Sequence, residues 1–265
     1  MPDFAARCAL HPDADGRLLG AVSPGWAQGR GAYGGLVTAL LARAVEAAAD
    51  VQSRPIRSLT AELFGAVAPG PVWLRPELLR AGSGLSTVAT RLGQGEELLA
   101  HAVANLGKTR ALTPDWVELS PPALPPWEDL PPLEMGPPMA PEFTQQLEYR
   151  TAGPAPFTGE TPSLGEGWVR LRSPGPKADV AWVCAHIDAW WPGMLRRFDR
   201  PRPSATVTFT LEVLASLEGL DPAAPLYLRC HTVAQRQGWA VEFRELWTQQ
   251  GALVALNQQT MALLG

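Results

Sequence analysis

The chain has 265 residues, 46% of them apolar, with 22 basic and 26 acidic side chains and a formal net charge of −4. This composition is typical of a globular protein and excludes a chain that is disordered as a whole. No block of Lys and Arg stands out, so we expect neither nucleic acid nor a membrane surface as a partner.

The three cysteines, Cys8, Cys184 and Cys230, lie far apart and form no CxxC pair. This spacing argues against a disulfide framework and a structural zinc site, and we expect no metal or cofactor. The first residues lack the basic and apolar blocks of a signal peptide, and the charge-free run 246–265 is too rich in Gln and Asn for a membrane helix. We therefore expect a cytoplasmic protein.

The first half of the chain predicts one helix followed by several strands. Apolar residues recur at helical spacing from Leu36 to Ala48, directly after the pair Gly34-Gly35. Alternating residues up to Leu63 and three further runs then indicate strands, separated by glycine-rich turns. Those runs are 72–80, 85–92 and 98–106.

The middle of the chain is marked by nine prolines between residues 121 and 141. Proline fixes φ and lacks a backbone donor, so neither a helix nor a central strand is expected there. We interpret the segment as an extended, semi-rigid connector across the surface, with Trp127 and Leu133 as possible anchors.

The second half repeats the plan of the first. Asp179 is a plausible N-cap for a helix that we expect to run to Trp191, just before Pro192-Gly193. Four strand patterns follow the helix. They span 205–214, 226–235, 239–248 and 252–262.

One long helix followed by several antiparallel strands, occurring twice, indicates a tandem duplication in an α+β chain. The predicted units are an N-terminal copy at 1–112, a Pro-rich linker at 113–163 and a C-terminal copy at 164–265. Each sheet would wrap its own helix, and the two sheets could join at their edges.

The sequence resembles double-hotdog proteins of the acyl-CoA thioesterase II family. The resemblance rests on the duplicated order of elements, on the Gly34-Gly35 helix start and on three short matches in the second half. These matches are His186-Ile187-Asp188 at the end of the second helix, Ala205-Thr206-Val207, and the segment from Val254 to Gln259. The family commonly continues after its Thr with Asp-His-Ser, which is absent here, so the chain lies on a divergent branch.

The resemblance implies hydrolysis of a fatty acyl-CoA by a water molecule, with Asp188 as the base and with Thr206 and Gln259 aligning the water. Backbone amides near Gly34 and Gly35, or near Asp179 and Val180, could stabilise the oxyanion. Trp190 and Trp191 could form the wall of an acyl pocket.

Each candidate also has a purely structural interpretation. Asp188 could be a solvated residue beside the apolar stripe, Thr206 a common strand residue, and Gln259 part of a polar edge strand. Trp190 and Trp191 bury large apolar areas whatever the function.

Two other functions on the same fold stay open, namely a non-catalytic acyl-thioester-binding protein and an enoyl-CoA hydratase. A hydratase needs a His base beside a carboxylate, and His186 lies only two residues from Asp188, on another side of the helix. We therefore interpret His186 as structural. A homo-oligomer is also possible.

The two copies are predicted to be unequal. When the two copies are aligned through Arg54-Pro55 and Arg202-Pro203, Ser58 corresponds to Thr206. When they are aligned through Ala100 and Ala255, Ala104 corresponds to Gln259. The first helix has no carboxylate before Glu46 to match Asp188. We therefore expect a single site per chain, formed where the two halves meet.

Overall fold

The computed structural model describes residues 2–48, 54–112, 114–123, 125–151 and 153–264. Within these ranges the α-helices are α1 (Phe4–Arg7), α2 (Gly34–Ala47) and α3 (Val180–Ile187). Short 3-10 helices span Trp127–Asp129, Glu142–Gln146 and Gly193–Arg197.

Fifteen strands follow one another along the described chain. They are β1 (His11–Pro12), β2 (Leu18–Val22), β3 (Ala27–Gln28), β4 (Gly31–Ala32), β5 (Ile56–Leu63), β6 (Gly70–Ala81), β7 (Leu85–Gln94), β8 (Glu97–Gly107), β9 (Pro132–Leu133), β10 (Leu147–Arg150), β11 (Leu164–Leu171), β12 (Ser204–Val213), β13 (Leu226–Arg236), β14 (Trp239–Trp247) and β15 (Leu253–Leu263).

Thirteen of these strands form one antiparallel sheet. Its order is β1-β2-β6-β7-β8-β5-β12-β15-β14-β13-β11-β10-β9, and β3 pairs with β4 separately. The two halves of the sheet have the same strand order, counted outward from the centre. One half runs β5-β8-β7-β6-β2-β1, and the other runs β12-β15-β14-β13-β11-β10. The sheet therefore shows the expected duplication, and the edges of the two copies join by pairing of β5 with β12.

The helices α2 and α3 pack against each other and against the same face of the sheet. They run antiparallel, because Arg43 near the end of α2 pairs with Asp179 at the start of α3 (2.6 Å), while Gly34 at the start of α2 lies against Asp188. Nearly every residue of α2 from Gly35 to Val45 is buried, which explains why its far side carries small residues.

The expectation of two long helices is wrong for the second copy. The helix α3 has 8 residues and ends at Ile187, not at Trp191. Pro192 disfavours helical backbone only at Trp191. The earlier end coincides with Trp190, which packs on Gly165 and Gly167 of β11 instead of continuing the helix. Asp188 is consequently the C-cap of α3 instead of a residue inside its last turn.

The proline-rich segment lies across the outer face of the sheet. Trp127 packs there with Trp168 and Tyr227, and the guanidinium groups of Arg150 and Arg170 lie 4.4 and 4.8 Å from its ring. The strands β9 and β10 fall inside the predicted linker and extend the edge of the second copy. The division of the chain at residues 112 and 163 stays a prediction.

Candidate functional site

The candidate site forms where the start of α2, the end of α3 and the strands β12 and β15 meet. Asp188 leaves α3 with its side chain 9% exposed, and one carboxylate oxygen, Oδ2, points at the backbone of Gly34. A Cβ added to Gly34 would lie only 2.7 Å from that oxygen. A glycine at the helix start thus lets the carboxylate approach the first turn of α2.

Gln259 is the centre of the hydrogen-bond network at this site. Its amide is fully buried and donates from Nε2 to Asp188 Oδ1 (2.8 Å) and to Asn257 Oδ1 (3.0 Å). Its Oε1 accepts from the hydroxyl of Thr206 (2.8 Å). Because both amide hydrogens and one lone pair of Oε1 are used, the orientation of the amide is determined by its partners.

The structure therefore places the three predicted catalytic side chains in one chain of contacts. The Thr206 hydroxyl donates to Gln259 and not to Asp188. Asp188 and Gln259 are in direct contact.

A buried ion pair lies behind Asp188, and the sequence reasoning missed it. Arg244 donates from Nη1 to Asp188 Oδ1 (3.3 Å) and to the carbonyl of Ile187 (3.1 Å), and its Nε donates to Glu242 (2.8 Å). The other oxygen of Glu242 accepts from the Gly193 amide and from the Thr232 hydroxyl, each at 2.7 Å.

The strand pattern of β14 contained a signal for this pair. Glu242 and Arg244 alternate with exposed Phe243, and Trp239 on the outer face is also exposed. Charges on the inner face and aromatic residues on the outer face reverse the usual alternation of a half-buried strand. Such a reversal indicates a buried polar site.

Burial raises the pKa of Asp188 above its usual value, while the Arg244 guanidinium, the Gln259 amide and the Gly35 amide lower it. Helix dipoles act in both directions here, since Asp188 follows the negative end of α3 and faces the positive end of α2. The carboxylate is thus a partly desolvated group held by specific donors.

The two predicted glycines lie in the site, but for different reasons. Gly34 faces Asp188, whereas Gly35 lies under the ring of Tyr33, which a Cβ would approach to 2.5 Å. The Tyr33 hydroxyl donates to the Ala185 carbonyl of α3 (2.6 Å). Tyr33 therefore ties the start of α2 to the end of α3.

The two tryptophans differ in their environment. Trp190 is 2% exposed and packs on the glycines of β11, where a Cβ on Gly165 would lie 3.0 Å from its ring. Trp191 is half-buried beside it, with ring centroids 4.6 Å apart. Trp190 thus packs in the core, and Trp191 is the more accessible of the two.

His186 is held within its own helix. Its Nδ1 donates to the Trp182 carbonyl (2.8 Å), and burial lowers its pKa to about 4. The imidazole is therefore neutral near pH 7. It makes no hydrogen bond to Asp188.

The strand registers show what the first copy has in place of this site. Thr60 and Thr210 pair with each other where the two copies meet, so they are counterparts. Counted back from them, the bulge at Arg57 in β5 corresponds to the bulge at Val207 in β12, and Ile56 corresponds to Thr206. The expected counterpart, Ser58, was therefore wrong.

The remaining counterparts follow from the neighbouring pairs. Leu59 and Phe209 precede the counterparts Thr60 and Thr210, and they pair with Ala104 and Gln259 respectively. Ala104 is therefore the counterpart of Gln259, as expected. The polar groups of the site thus have apolar counterparts in β5 and β8.

The residues that the structure describes form neither a metal cluster nor a membrane-crossing helix. No group of three or more His, Cys, Asp or Glu side chains is placed to hold a metal ion. None of the described helices has the length and apolarity to cross a membrane.

Solved structures share this fold over almost the whole chain. A conserved protein of unknown function with a hot dog fold from Alicyclobacillus acidocaldarius is 22% identical, with a TM-score of 0.90 and 99% and 98% of the two chains covered. The acyl-CoA thioesterase II TesB2 from Mycobacterium marinum is 18% identical, with a TM-score of 0.78 and coverage of 98% and 96%.

A dehydratase domain, that of PpsC from Mycobacterium tuberculosis, is less similar, at 14% identity and a TM-score of 0.53, with 97% of each chain covered. Curated proteins give no significant sequence match. These likenesses confirm an α+β hotdog fold.

Family models identify both halves of the chain. The acyl-CoA thioesterase N-terminal domain matches residues 22–107, and the acyl-CoA thioesterase C-terminal domain matches residues 121–263. The second match alone covers more than half of the chain and contains Asp188, Thr206 and Gln259. The chain therefore belongs to the acyl-CoA thioesterase family and is a thioester hydrolase.

Proposed function

We propose that the protein hydrolyses a fatty acyl-CoA to a free acid and CoA by direct attack of a water molecule that Asp188 deprotonates. The observation that carries this proposal is the contact chain from Thr206 through Gln259 to Asp188, with 2.8 Å at each link, beside the first turn of α2. A carboxylate, an oriented side-chain amide and the backbone amides of a helix start are the groups that such a reaction requires.

The two oxygens of Asp188 have different roles in this proposal. Oδ1 accepts from Gln259 and Arg244, so it is occupied. Oδ2, on the side of Gly34, is the oxygen that would take the proton of the attacking water. The second lone pair of Gln259 Oε1 could accept the other hydrogen of the same water.

The balanced reaction has two steps. Water oxygen bonds to the thioester carbonyl carbon while its proton passes to Asp188, and the carbonyl oxygen becomes an oxyanion that amides at the start of α2 would stabilise. The C–S bond then breaks, and Asp188 returns the proton to the departing CoA sulfur. No covalent enzyme intermediate is needed.

Replacement of Asp188 by Asn tests the proposal. Asn keeps the Oδ1 acceptor for Gln259 and Arg244 but cannot take a proton, so the rate of thiol release from acyl-CoA should fall by about 100-fold or more. Glu212→Gln, an exposed carboxylate on β12, is the matched control and should retain the wild-type rate.

A folded Asp188→Asn protein with wild-type hydrolysis would rule out this mechanism. The same purified protein, assayed over chain lengths from C2 to C16, would define the acyl preference. Binding without turnover would indicate the non-catalytic alternative, and addition of water to an enoyl-CoA would indicate the hydratase. A cytoplasmic location and a homo-oligomer stay predictions.

A further inference from the structure

The ion pair of Arg244 and Glu242 is unusually well buried for charged side chains. The two residues are 2% and 0% exposed, at a depth where charges are costly unless every donor and acceptor is satisfied. Glu242 accepts three hydrogen bonds, from Arg244, from the Gly193 amide and from Thr232. Arg244 extends beyond this pair to Asp188.

The first copy shows that the fold does not need this ion pair. In the second copy, β14 and β15 pair Glu242 with Gln259 and Arg244 with Asn257. At the same positions of the first copy, β7 and β8 pair Val88 with Ala104 and Thr90 with Ala102. Val88 and Thr90 are therefore the counterparts of Glu242 and Arg244, and both are 0% exposed. The same position of the same strand is filled without charges in the copy that lacks Gln259.

We propose that Arg244 and Glu242 are positioning residues for the hydrolysis, acting through Asp188. Arg244 fixes Oδ1 of Asp188 and supplies the positive charge opposite the carboxylate, while Glu242 holds Arg244 and the turn at Gly193. This inference rests on the proposed function of Asp188 as the base.

Arg244 also lowers the pKa of the Asp188 carboxyl. Among the influences that oppose burial, it is the largest on the pKa of Asp188, while Glu242 acts in the opposite direction. Tyr33, Tyr149 and Cys184 also face the carboxylate, but burial raises the pKa of all three, so they carry no charge near neutral pH.

Loss of Arg244 should change the pH dependence of hydrolysis. The base works only when ionised, so activity falls as pH drops through the pKa of Asp188. Loss of Arg244 removes the opposite charge and raises that pKa. The acid limb of the pH profile of kcat/KM should therefore move to higher pH, by about 1–3 units, the usual effect of an opposite charge at this distance.

The full-length double variant Glu242→Val with Arg244→Thr is the test, because it introduces the side chains that the first copy already accommodates. We expect a folded protein with a reduced kcat and an unchanged KM. Its acid limb should move to higher pH, by less than loss of Arg244 alone would give, because Glu242 acts on the pKa of Asp188 in the opposite direction and is the smaller influence. The matched control is Glu245→Val with Arg229→Thr, which removes an ion pair of 2.6 Å between β14 and β13 on the outer face of the sheet. Its acid limb should coincide with that of the wild type.

A second measurement separates this inference from the proposed function. Titration of the Asp188 carboxyl by carbon-13 NMR should show the same upward displacement of its pKa in the double variant, whether or not the protein hydrolyses the acyl-CoA supplied. An Asp188 pKa and an acid limb that stay at their wild-type positions would overturn the inference. Absence of wild-type hydrolysis would contradict only the proposed function.

If the Val and Thr pair does not fold, Glu242→Leu with Arg244→Met fills more of the vacated volume, as larger apolar residues often do in place of buried ions. The same displacement is expected. Arg244→Lys retains the charge and should leave the acid limb near its wild-type position, although it loses the planar geometry that reaches both Glu242 and Asp188. A displaced limb in the Lys variant would contradict a role for the charge.

Discussion

At the residue scale, Gln259 links the site because every polar atom of its amide has a partner. Its orientation depends on Thr206, the donor to its Oε1. Without this donor the amide could rotate and turn an oxygen toward the Asp188 carboxylate, which would repel it. The role of Thr206 is therefore indirect.

We accordingly expect Thr206→Val to lower kcat by about 10-fold, the scale of one neutral hydrogen bond, with little change in KM. Thr206→Ser keeps the hydroxyl and should restore most of the rate. Steady-state hydrolysis of one acyl-CoA by the three proteins measures this. Equal rates for the Val variant and the wild type would remove Thr206 from the site.

The two tryptophans differ at the same scale. Trp190→Ala should lower the free energy of unfolding by about 3–5 kcal/mol, because a large side chain packed on the glycines of β11 would leave a cavity. Trp191→Ala should cost less stability and change the relative rates for short and long acyl-CoAs. Thermal denaturation together with the chain-length profile distinguishes the two, and a Trp190 variant with wild-type stability would contradict its placement in the core.

At the scale of elements, the site depends on two antiparallel helices with opposite ends side by side. The short α3 presents Asp188 at its C-cap, and α2 presents the Gly35 amide to the same carboxylate. The positive end of α2 compensates the unfavourable position of a carboxylate at a helix C-terminus. A longer α3 would carry Asp188 inside the helix, away from this contact.

Gly34→Ala tests the contact between these helix ends. The added Cβ would meet Asp188 Oδ2 at 2.7 Å, so the carboxylate must move and kcat should fall by about 10-fold or more, since small misplacements of a catalytic group are costly. The fold should tolerate Ala, a good helix former. Gly84→Ala, with its nearest atom 4.0 Å away, is the control and should behave as wild type.

At the scale of the whole molecule, the duplication produces one sheet and two unequal halves. The counterparts of Thr206, Gln259, Glu242 and Arg244 are Ile56, Ala104, Val88 and Thr90. The first copy nevertheless supplies the start of α2 to the site of the second. Neither half alone contains every group of the proposed site.

One substrate site per chain is the corresponding prediction. Calorimetric titration of Asp188→Asn, which turns over slowly, with an acyl-CoA should give one bound molecule per chain. Two bound molecules would show that the first copy also retains a binding site.

The sequence by itself determined the order of elements and the duplication. Helical spacing predicted α2, and alternating patterns predicted the long strands, because these periods reflect which face of each element is buried. Asp188, Thr206 and Gln259 were identified through short family matches, whereas no local pattern assigned a partner to any of them.

Tertiary structure decided the rest. The end of α3 at Ile187 depended on the packing of Trp190 against β11. The counterpart of Thr206 depended on bulges at Arg57 and Val207 that shift the register. The ion pair of Glu242 and Arg244 became part of the site only because β14 lies beside β15 and under the end of α3. A strand pattern shows which residues share a face, but long-range pairing alone decides which charge they meet.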